Sequence, residues 1–255
     1  MSLYDYPRYY DLVYGSDWKA EFDFLTGVFN KHICGETKRL LEPACGTGRL
    51  IFRLQRAGFQ VDGLDLSSKA VHYCNKRLQR HGLQASAWVG DMTNFKVTSK
   101  YCAAFNTINS FRHLEEHHQA RDHLVCMAKA IRKGGIYVLG LHLSPKIGEA
   151  SEEESWIARR GHLCVQTSMW LIHRNLKQRY ERFHMRYDIW TPTNHETLDD
   201  EFNFRIYTKK QFEEELLKGI PEFEIAATYD FSYDLNQPIQ VDDHSEDVVY
   251  ILKRV

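Results

Sequence analysis

The chain has 255 residues, 43% of them hydrophobic, and 33 Lys and Arg against 34 Asp and Glu leave a net charge of -1. That length and apolar content suit one α/β domain carrying an insertion or a small cap. The charge balance gives no electrostatic reason to expect a nucleic-acid or membrane partner, though it leaves room for a local basic patch.

Asp5, Asp11, Asp17, Glu21 and Asp23 interrupt the first stretch of the chain, so no secretory signal is expected there. No apolar run approaches the ~18 residues of a membrane span. Six scattered cysteines, none in a CxxC pair, read as reduced and mostly buried thiols of a cytoplasmic protein.

Trp18, Phe22, Leu25 and Phe29 recur at helical spacing, with Asp17 placed to cap the helix start. Short apolar runs then alternate with amphipathic stretches. Strands are expected at Arg39–Leu41, Phe59–Leu66, Ala85–Val89, Tyr101–Ile108 and Ile136–Leu143. Helices are expected at Gly48–Ala57, from the Ser67-Ser68 caps to about His81, and at Glu115–Arg132, stopped by Gly134 and Gly135. Alternating strands and helices imply right-handed crossovers and a parallel, doubly wound sheet.

After Ser144 the rhythm breaks. Ser151–Ser155 reads as a polar loop, Cys164–Ile172 and Arg179–Trp190 as a hairpin turning at Asn175-Leu176-Lys177, and Phe202–Tyr207 as a short added strand. Thr208 caps a helix through Leu217, and Phe223–Phe231 and Val248–Leu252 form a final antiparallel pair at the sheet edge.

The strongest motif is Glu42-Pro43-Ala44-Cys45-Gly46-Thr47-Gly48, after a predicted strand and before a predicted helix. Small residues let a ligand approach the backbone closely, and the helix start offers free N–H groups. An ordinary glycine-containing βα turn would read the same way. Asp65 ends the second strand 19 residues after Gly46, near the offset of a ribose-binding carboxylate, and Asp91 ends the third. Either could be a helix cap or a solvated turn residue. Together with the glycine turn they mark the carboxyl edge of the sheet, where open α/β folds bind ligands.

Glu42 to Gly48, then Asp65, then Gly90-Asp91-Met92, resembles the class I S-adenosylmethionine-dependent methyltransferases. Tyr10-Asp11-Leu12-Val13-Tyr14 resembles a Tyr-Asp-x-x-Tyr pattern of the small-molecule members. The layout is most similar to sugar N-methyltransferases and glycine N-methyltransferase-like enzymes. One departure is Ala44, where the family usually has glycine.

The resemblance implies a seven-stranded, mostly parallel Rossmann-like sheet with an antiparallel β insertion after strand 5 and an N-terminal helical lid. It divides the chain into a lid at 1–33, a cofactor-binding core at 34–143 and 208–255, and a covering insertion at 144–207. It implies S-adenosyl-L-methionine as cofactor, with Glu42, Ala44, Gly46 and Gly48 at its methionine part and Asp65 at the ribose. Leu66 would lie against the adenine, Asp91 at its amino group, and the Met92 backbone at a ring nitrogen. Asn109 and Ser110 would face the methyl group and the substrate. Tyr14 belongs to an aromatic cluster with Tyr4, Tyr6, Tyr9 and Tyr10 that could cover a cationic sulfonium or pack on the core. His113 or a lid tyrosine is the candidate base, with Tyr14 also touching cofactor. The implied partner is a small-molecule methyl acceptor, not nucleic acid or membrane, and a homodimer is compatible with the family.

Three other readings stay open. A nicotinamide-dependent reductase needs a third glycine where Ile51 stands. An adenine-methylating nucleic-acid enzyme carries Asn-Pro-Pro-Tyr after the fourth strand, where this chain has Asn106-Thr107-Ile108-Asn109. An inactive cofactor-binding scaffold would share the motifs. His113, His117 and His118 read as solvated histidines rather than metal ligands, and Trp156, Trp170 and Trp190 as core or sheet-face residues.

Overall fold

The computed structural model describes residues 3–35, 38–145 and 153–255. Two helices open it, α1 (Pro7–Gly15) and α2 (Lys19–His32). Asp17 does not cap α2: the N-cap is Trp18, without a side-chain hydrogen bond. There follow β1 (Arg39–Pro43), α3 (Arg49–Arg56), β2 (Gln60–Asp65), α4 (Ser68–Arg80), β3 (Ala87–Val89), β4 (Tyr101–Asn106), α5 (His117–Ala130) and β5 (Ile131–His142). An antiparallel block holds β6 (Glu153–Arg160), β7 (Leu163–Asn175), β8 (Tyr180–Trp190) and β9 (His195–Arg205). A short π-helical turn (Gln211–Leu216) leads to β10 (Phe223–Tyr229) and β11 (Asp247–Arg254).

Seven strands form one sheet in the order β10-β11-β5-β4-β1-β2-β3. β1 to β5 pair in parallel, and β11 runs antiparallel between β5 and β10. The expected doubly wound sheet is therefore present, with its antiparallel pair at the expected end. The period of two along each strand builds a core on both faces. Leu41, Ala104, Leu139 and Tyr250 point to the α5 side, where Leu124 and Met127 pack. Leu40, Phe105, Val138 and Ile251 point to the side of α2, α3 and α4. A third, smaller core joins Leu12 and Val13 of α1 to Val165, Met185 and Ile189 of β7 and β8.

The local signals explain the elements. The Ser67 side chain accepts the Ala70 N–H at 3.2 Å and starts α4. Glu116 and Gln119 form a reciprocal capping box at the start of α5. Thr208 Oγ1 accepts the Gln211 N–H at 3.3 Å ahead of the π turn.

Three expectations need correction. The glycines at 134 and 135 do not stop α5, which ends at Ala130; they lie inside β5. A Cβ on Gly135 would come 2.5 Å from the Cys102 carbonyl oxygen, so the glycine lets β4 and β5 approach. Residues 153–155, expected in a loop, open β6, while 151 and 152 lie outside the described residues. The cysteines are not mostly buried: Cys45 and Cys74 are buried and Cys34 is exposed.

Candidate active site

The carboxyl ends of β1 and β4 meet the antiparallel sheet across one cavity. Its core side carries Glu42, Ala44, Thr47, Arg49, Asn106 and Asn109. Tyr4, Tyr10 and Tyr14 close it from the N-terminus, and Met185, Tyr187, Asp200 and Phe204 wall it from β8 and β9. Of the residues singled out in the sequence, the cavity unites Tyr4, Tyr10, Tyr14, Glu42, Ala44, Asn109, Ser110 and His113. Gly46, Gly48, Asp65, Leu66, Asp91 and Met92 lie outside its lining, along the neighbouring sheet edge.

The glycine turn is left-handed at three points: Ala44 with φ 52°, Gly46 with φ 53° and Gly48 with φ 70°. Only glycine occupies that region without strain, so Ala44 is a strained position. A Cβ on Gly46 would sit 3.0 Å from Tyr10 Cε1 and one on Gly48 2.2 Å from Cys74 Sγ. Gly46 is buried beneath Tyr10, not on an open cleft surface.

Asp65 bridges this turn to the next helix. One carboxylate oxygen accepts the Gly46 N–H and the other the Ser67 N–H, each at 2.8 Å. Burial raises its pKa, partly offset by those two N–H donors. Each oxygen keeps a lone pair for a further donor such as a hydroxyl.

Farther out the edge opens. Leu66 is 74% exposed. Asp91 is exposed, and its carboxylate accepts the Thr93 N–H and hydroxyl at 2.8 Å each. Below it, His123 is fully buried, with Nδ1 3.0 Å from the Met92 carbonyl and Nε2 2.9 Å from the Tyr137 hydroxyl. A carbonyl only accepts, so Nδ1 carries the proton and Nε2 takes the tyrosine's. The neutral ring is fully satisfied, and burial lowers its pKa to about 4.

The cavity floor holds unanswered acceptors. Glu42 Oε2 and Asn106 Oδ1 are buried without a hydrogen-bond partner among the described residues. Burial raises the Glu42 pKa well above normal despite nearby Arg49. Arg49 itself is committed to Glu21 at 2.5 Å. Such a floor suits a ligand that brings N–H donors and positive charge, because orphaned buried acceptors are costly. The amino-acid end of S-adenosylmethionine meets that demand, so the residues present fit that cofactor.

His113 borders the cavity and is crowded by Phe202 and Phe204, with ring centroids 5.6 and 4.8 Å away. Its Nε2 lies 3.4 Å from the Tyr4 hydroxyl. The residue is exposed toward the cavity, and desolvation by the packed rings, aided by Arg112, lowers its pKa to about 4, so the ring is neutral at working pH. Tyr14 donates to Met185 Sδ at 3.5 Å, and burial raises its pKa to about 12.

Asp11 holds the enclosure together. It is 2% exposed and accepts from Thr47 of the glycine turn at 3.2 Å and from Tyr73 of α4 at 3.3 Å. Arg77 of α4 and Arg160 of β6 complete its shell. The arginines bring its pKa below normal against the opposing effect of burial. On the far side, buried Arg112 pairs with Glu181 of β8 and donates from Nε to the Arg205 carbonyl at 2.9 Å. These contacts fasten the antiparallel sheet to the core from both flanks.

Sequence reasoning missed Tyr187, Asp200 and Phe204, which only the β8–β9 pairing brings to the site. Trp156, expected as a core or sheet-face residue, also borders the cavity, 6.4 Å from Tyr14 between centroids. Trp170 stacks on His184 and Trp190 on His195, on the insertion itself.

Ile51 also has a structural answer. It is fully buried, and a Cβ on Gly63 of β2 would stand 2.4 Å from its Cδ1. The absent side chain that lets helix and strand approach is on the strand.

The sheet, its glycine turn and its edge acids define a Rossmann-like domain of the nucleotide-cofactor class. Residues 40–135 match the methyltransferase domain family. The chain is 27% identical over 138 residues to dTDP-3-amino-3,4,6-trideoxy-alpha-D-glucopyranose N,N-dimethyltransferase of Streptomyces venezuelae, covering 53% of this chain and 56% of that protein. It is 31% identical over 134 residues to rabbit (Oryctolagus cuniculus) glycine N-methyltransferase, covering 46% and 43%. These matches span about half the length of those relatives. The fold superposes on an S-adenosylmethionine-dependent methyltransferase from Clostridium acetobutylicum ATCC 824 with a TM-score of 0.78, 16% identity and 96% of each chain covered. Over residues 40–135 the chain is thus similar to the methyltransferase domain family, and its fold is that of the S-adenosylmethionine-dependent methyltransferase it superposes on.

Proposed function

We propose that the chain transfers a methyl group from S-adenosylmethionine to nitrogen or oxygen of a small molecule, by in-line displacement in the cavity between the sheets. One observation carries the reading: a single cavity is lined by both the glycine turn and the aromatic and acidic side chains of β8 and β9. Covers on two sides suit a small, enclosed acceptor better than a polymer. The segments 1–33 and 144–207 then act as the two covers on the core.

The cofactor supplies a methyl carbon already activated by a sulfonium. The protein's part is to place an acceptor atom in line, about 3 Å away, and to keep water out. Glu42, Ala44, Gly46, Gly48 and Asn109 would hold the methionine end. Asp65 would hold the ribose, and Leu66, Asp91 and the Met92 backbone the adenine. Tyr4, Tyr10 and Tyr14 offer ring faces to positive charge, and Asp200 adds a carboxylate on the opposite wall. Nitrogen is the favoured acceptor atom on that account.

With a pKa about 4, His113 is too weak a base to strip an ammonium at neutral pH. Its role is to accept a hydrogen bond that aims the acceptor. The related dimethyltransferase, by its name, acts on an amino sugar; an amino sugar is the first acceptor to try. No helix among the described residues is long and apolar enough to cross a membrane, and we place the enzyme in the cytoplasm.

The test is turnover with isotope-labelled methyl donor against a panel of amines, amino sugars and hydroxyl compounds, read as S-adenosylhomocysteine release. Methylated product supports the assignment. Tight cofactor binding without turnover on the panel leaves a scaffold, and failure to bind S-adenosylhomocysteine overturns the site.

A further inference from the structure

Away from the cavity, α1 and α4 enclose a second concavity. Its lining includes Arg8 from α1 and Lys69, His72, Lys76, Arg80 and His81 on or beside α4, with no carboxylate among the lining residues. Lys69, His72, Lys76 and Arg80 follow one another at offsets of three, seven and eleven residues, a single stripe down α4. Lys69 is answered by Asp5 at 2.7 Å and the adjacent Arg77 by Asp11. Arg8, Lys76 and Arg80 are exposed and have no ion-pair partner among the described residues.

Helix stabilisation does not account for this stripe. Lys76 and Arg80 are like charges four apart, an arrangement that opposes the helix. Arg8 and Lys69 stand in the first turns of their helices, where a cation faces the positive end of the dipole, and neither first turn carries an acid. In a chain of net charge -1, so one-sided a groove stands out. Neighbouring arginines do not extend it into a broad basic surface. Arg160 is engaged by Asp11, and Arg53 lies over the Trp18 ring at 4.1 Å.

We propose that the groove between α1 and α4 is a second binding site, for the oligophosphate chain of a soluble small molecule. Its polar contacts would come from Arg8, Lys76 and Arg80, which together meet two or three phosphate groups. The stripe from Lys69 to Arg80 spans roughly 16 Å at the helical rise, enough for such a chain with its organic body and short for a polymer track. A ligand there would bridge α1, which covers the catalytic cavity, to α4 of the core. The site stands independently of the methyl-transfer reading.

Calorimetric titration of the full chain with sodium tripolyphosphate at low salt tests the site, beside a charge-reversed variant carrying Lys76→Glu and Arg80→Glu. Both positions are exposed, and S-adenosylhomocysteine titration of the same variant reports on the fold and the cofactor site. The expected result is saturable tripolyphosphate binding by the natural chain, weakened at least about tenfold in the variant, with S-adenosylhomocysteine affinity unchanged. Absence of binding at millimolar tripolyphosphate, or equal binding by the variant, overturns the proposal. Preference of these residues for a 20-nucleotide RNA over tripolyphosphate overturns it too, and makes the groove a nucleic-acid surface.

Discussion

The two ends of the ligand-binding edge are built differently. At the end proposed for the methionine part, the local glycine turn forms the floor and the other walls come from a distance: Tyr14 from α1, Asn109 after β4, Tyr187 and Asp200 from the antiparallel sheet. At the end proposed for the adenine, Asp65, Leu66, Asp91 and Met92 are local to two strand ends, and Leu66 stands 74% exposed. On the proposed function, the chemistry would fall to the end that tertiary structure must assemble, and recognition of the nucleoside to the end that the strands present by themselves.

The largest effect should come from breaking the joint that closes the methionine end. Removing Arg112 leaves buried Glu181 to Arg174 alone, at 2.8 Å, and takes the donor from the Arg205 carbonyl, so Arg112→Ala should cost about 3 kcal/mol of stability, the low end for a broken buried pair. Urea unfolding measures it; a loss below about 1 kcal/mol would show that the joint is not needed to hold the sheets together.

Acid should act on both ends, since His113 and His123 are each lowered to about 4, and most tightly through the fully buried His123. His123 has a folded pKa of about 4 against an unfolded value near 6.5, so the unfolded chain takes up its proton first. Its contribution is intact above about pH 6.5 and is lost as pH falls toward 4, by about 3 kcal/mol in all. Thermal melts from pH 7 to 4 should fall steeply, and His123→Gln should flatten that slope. An unchanged slope in the variant would remove His123 as the support of the Met92 backbone.

Asp65→Ala should weaken S-adenosylhomocysteine binding by about 1.5–3 kcal/mol for each hydroxyl bond lost. Calorimetry on folded variant decides it, and unchanged affinity would detach the ribose from this carboxylate. Tyr14→Phe removes a hydroxyl and keeps the ring. We expect a loss of turnover on the order of 1 kcal/mol in barrier with an unchanged melting temperature. A fall in melting temperature with full activity would return Tyr14 to a packing role.

The smallest effect belongs to the boundary of the two ends. Ala44 holds a left-handed conformation that glycine adopts freely, at the expense of chain entropy. Ala44→Gly should therefore be neutral or stabilising by less than about 1 kcal/mol. A clear drop in melting temperature would show that the methyl group packs usefully in the cavity wall.

The parallel core was legible because its signals are local. Caps such as Ser67, buried runs such as Ile136–Leu143, and the Gly46–Gly48 turn each name an element within a few residues. β6 was not, because Ala158 is its one buried residue, so its acidic start shows no alternation. β9 alternates, but its apolar inward positions are sparse before Phe202. The glycines of β5 misled because a Cβ-free residue serves close strand approach as readily as a helix stop. In the site, the same division holds. Glu42, Asp65 and Asp91 stand beside readable strand ends, whereas Asp200 becomes a cavity residue only through pairing of β8 with β9. The period-two inward face of β8, running Phe183, Met185, Tyr187, Ile189, was the one available hint.

The contact between Ile51 and Gly63 bears on how such sequences are compared. A column-by-column reading counts Ile51 as a missing glycine and penalises it. A reading of contacting pairs finds the vacancy moved across to the neighbouring strand, where it serves the same spacing. Volume at a helix–strand crossing belongs to the two positions jointly, and a score blind to their contact will misjudge relatives that made the exchange in the opposite direction.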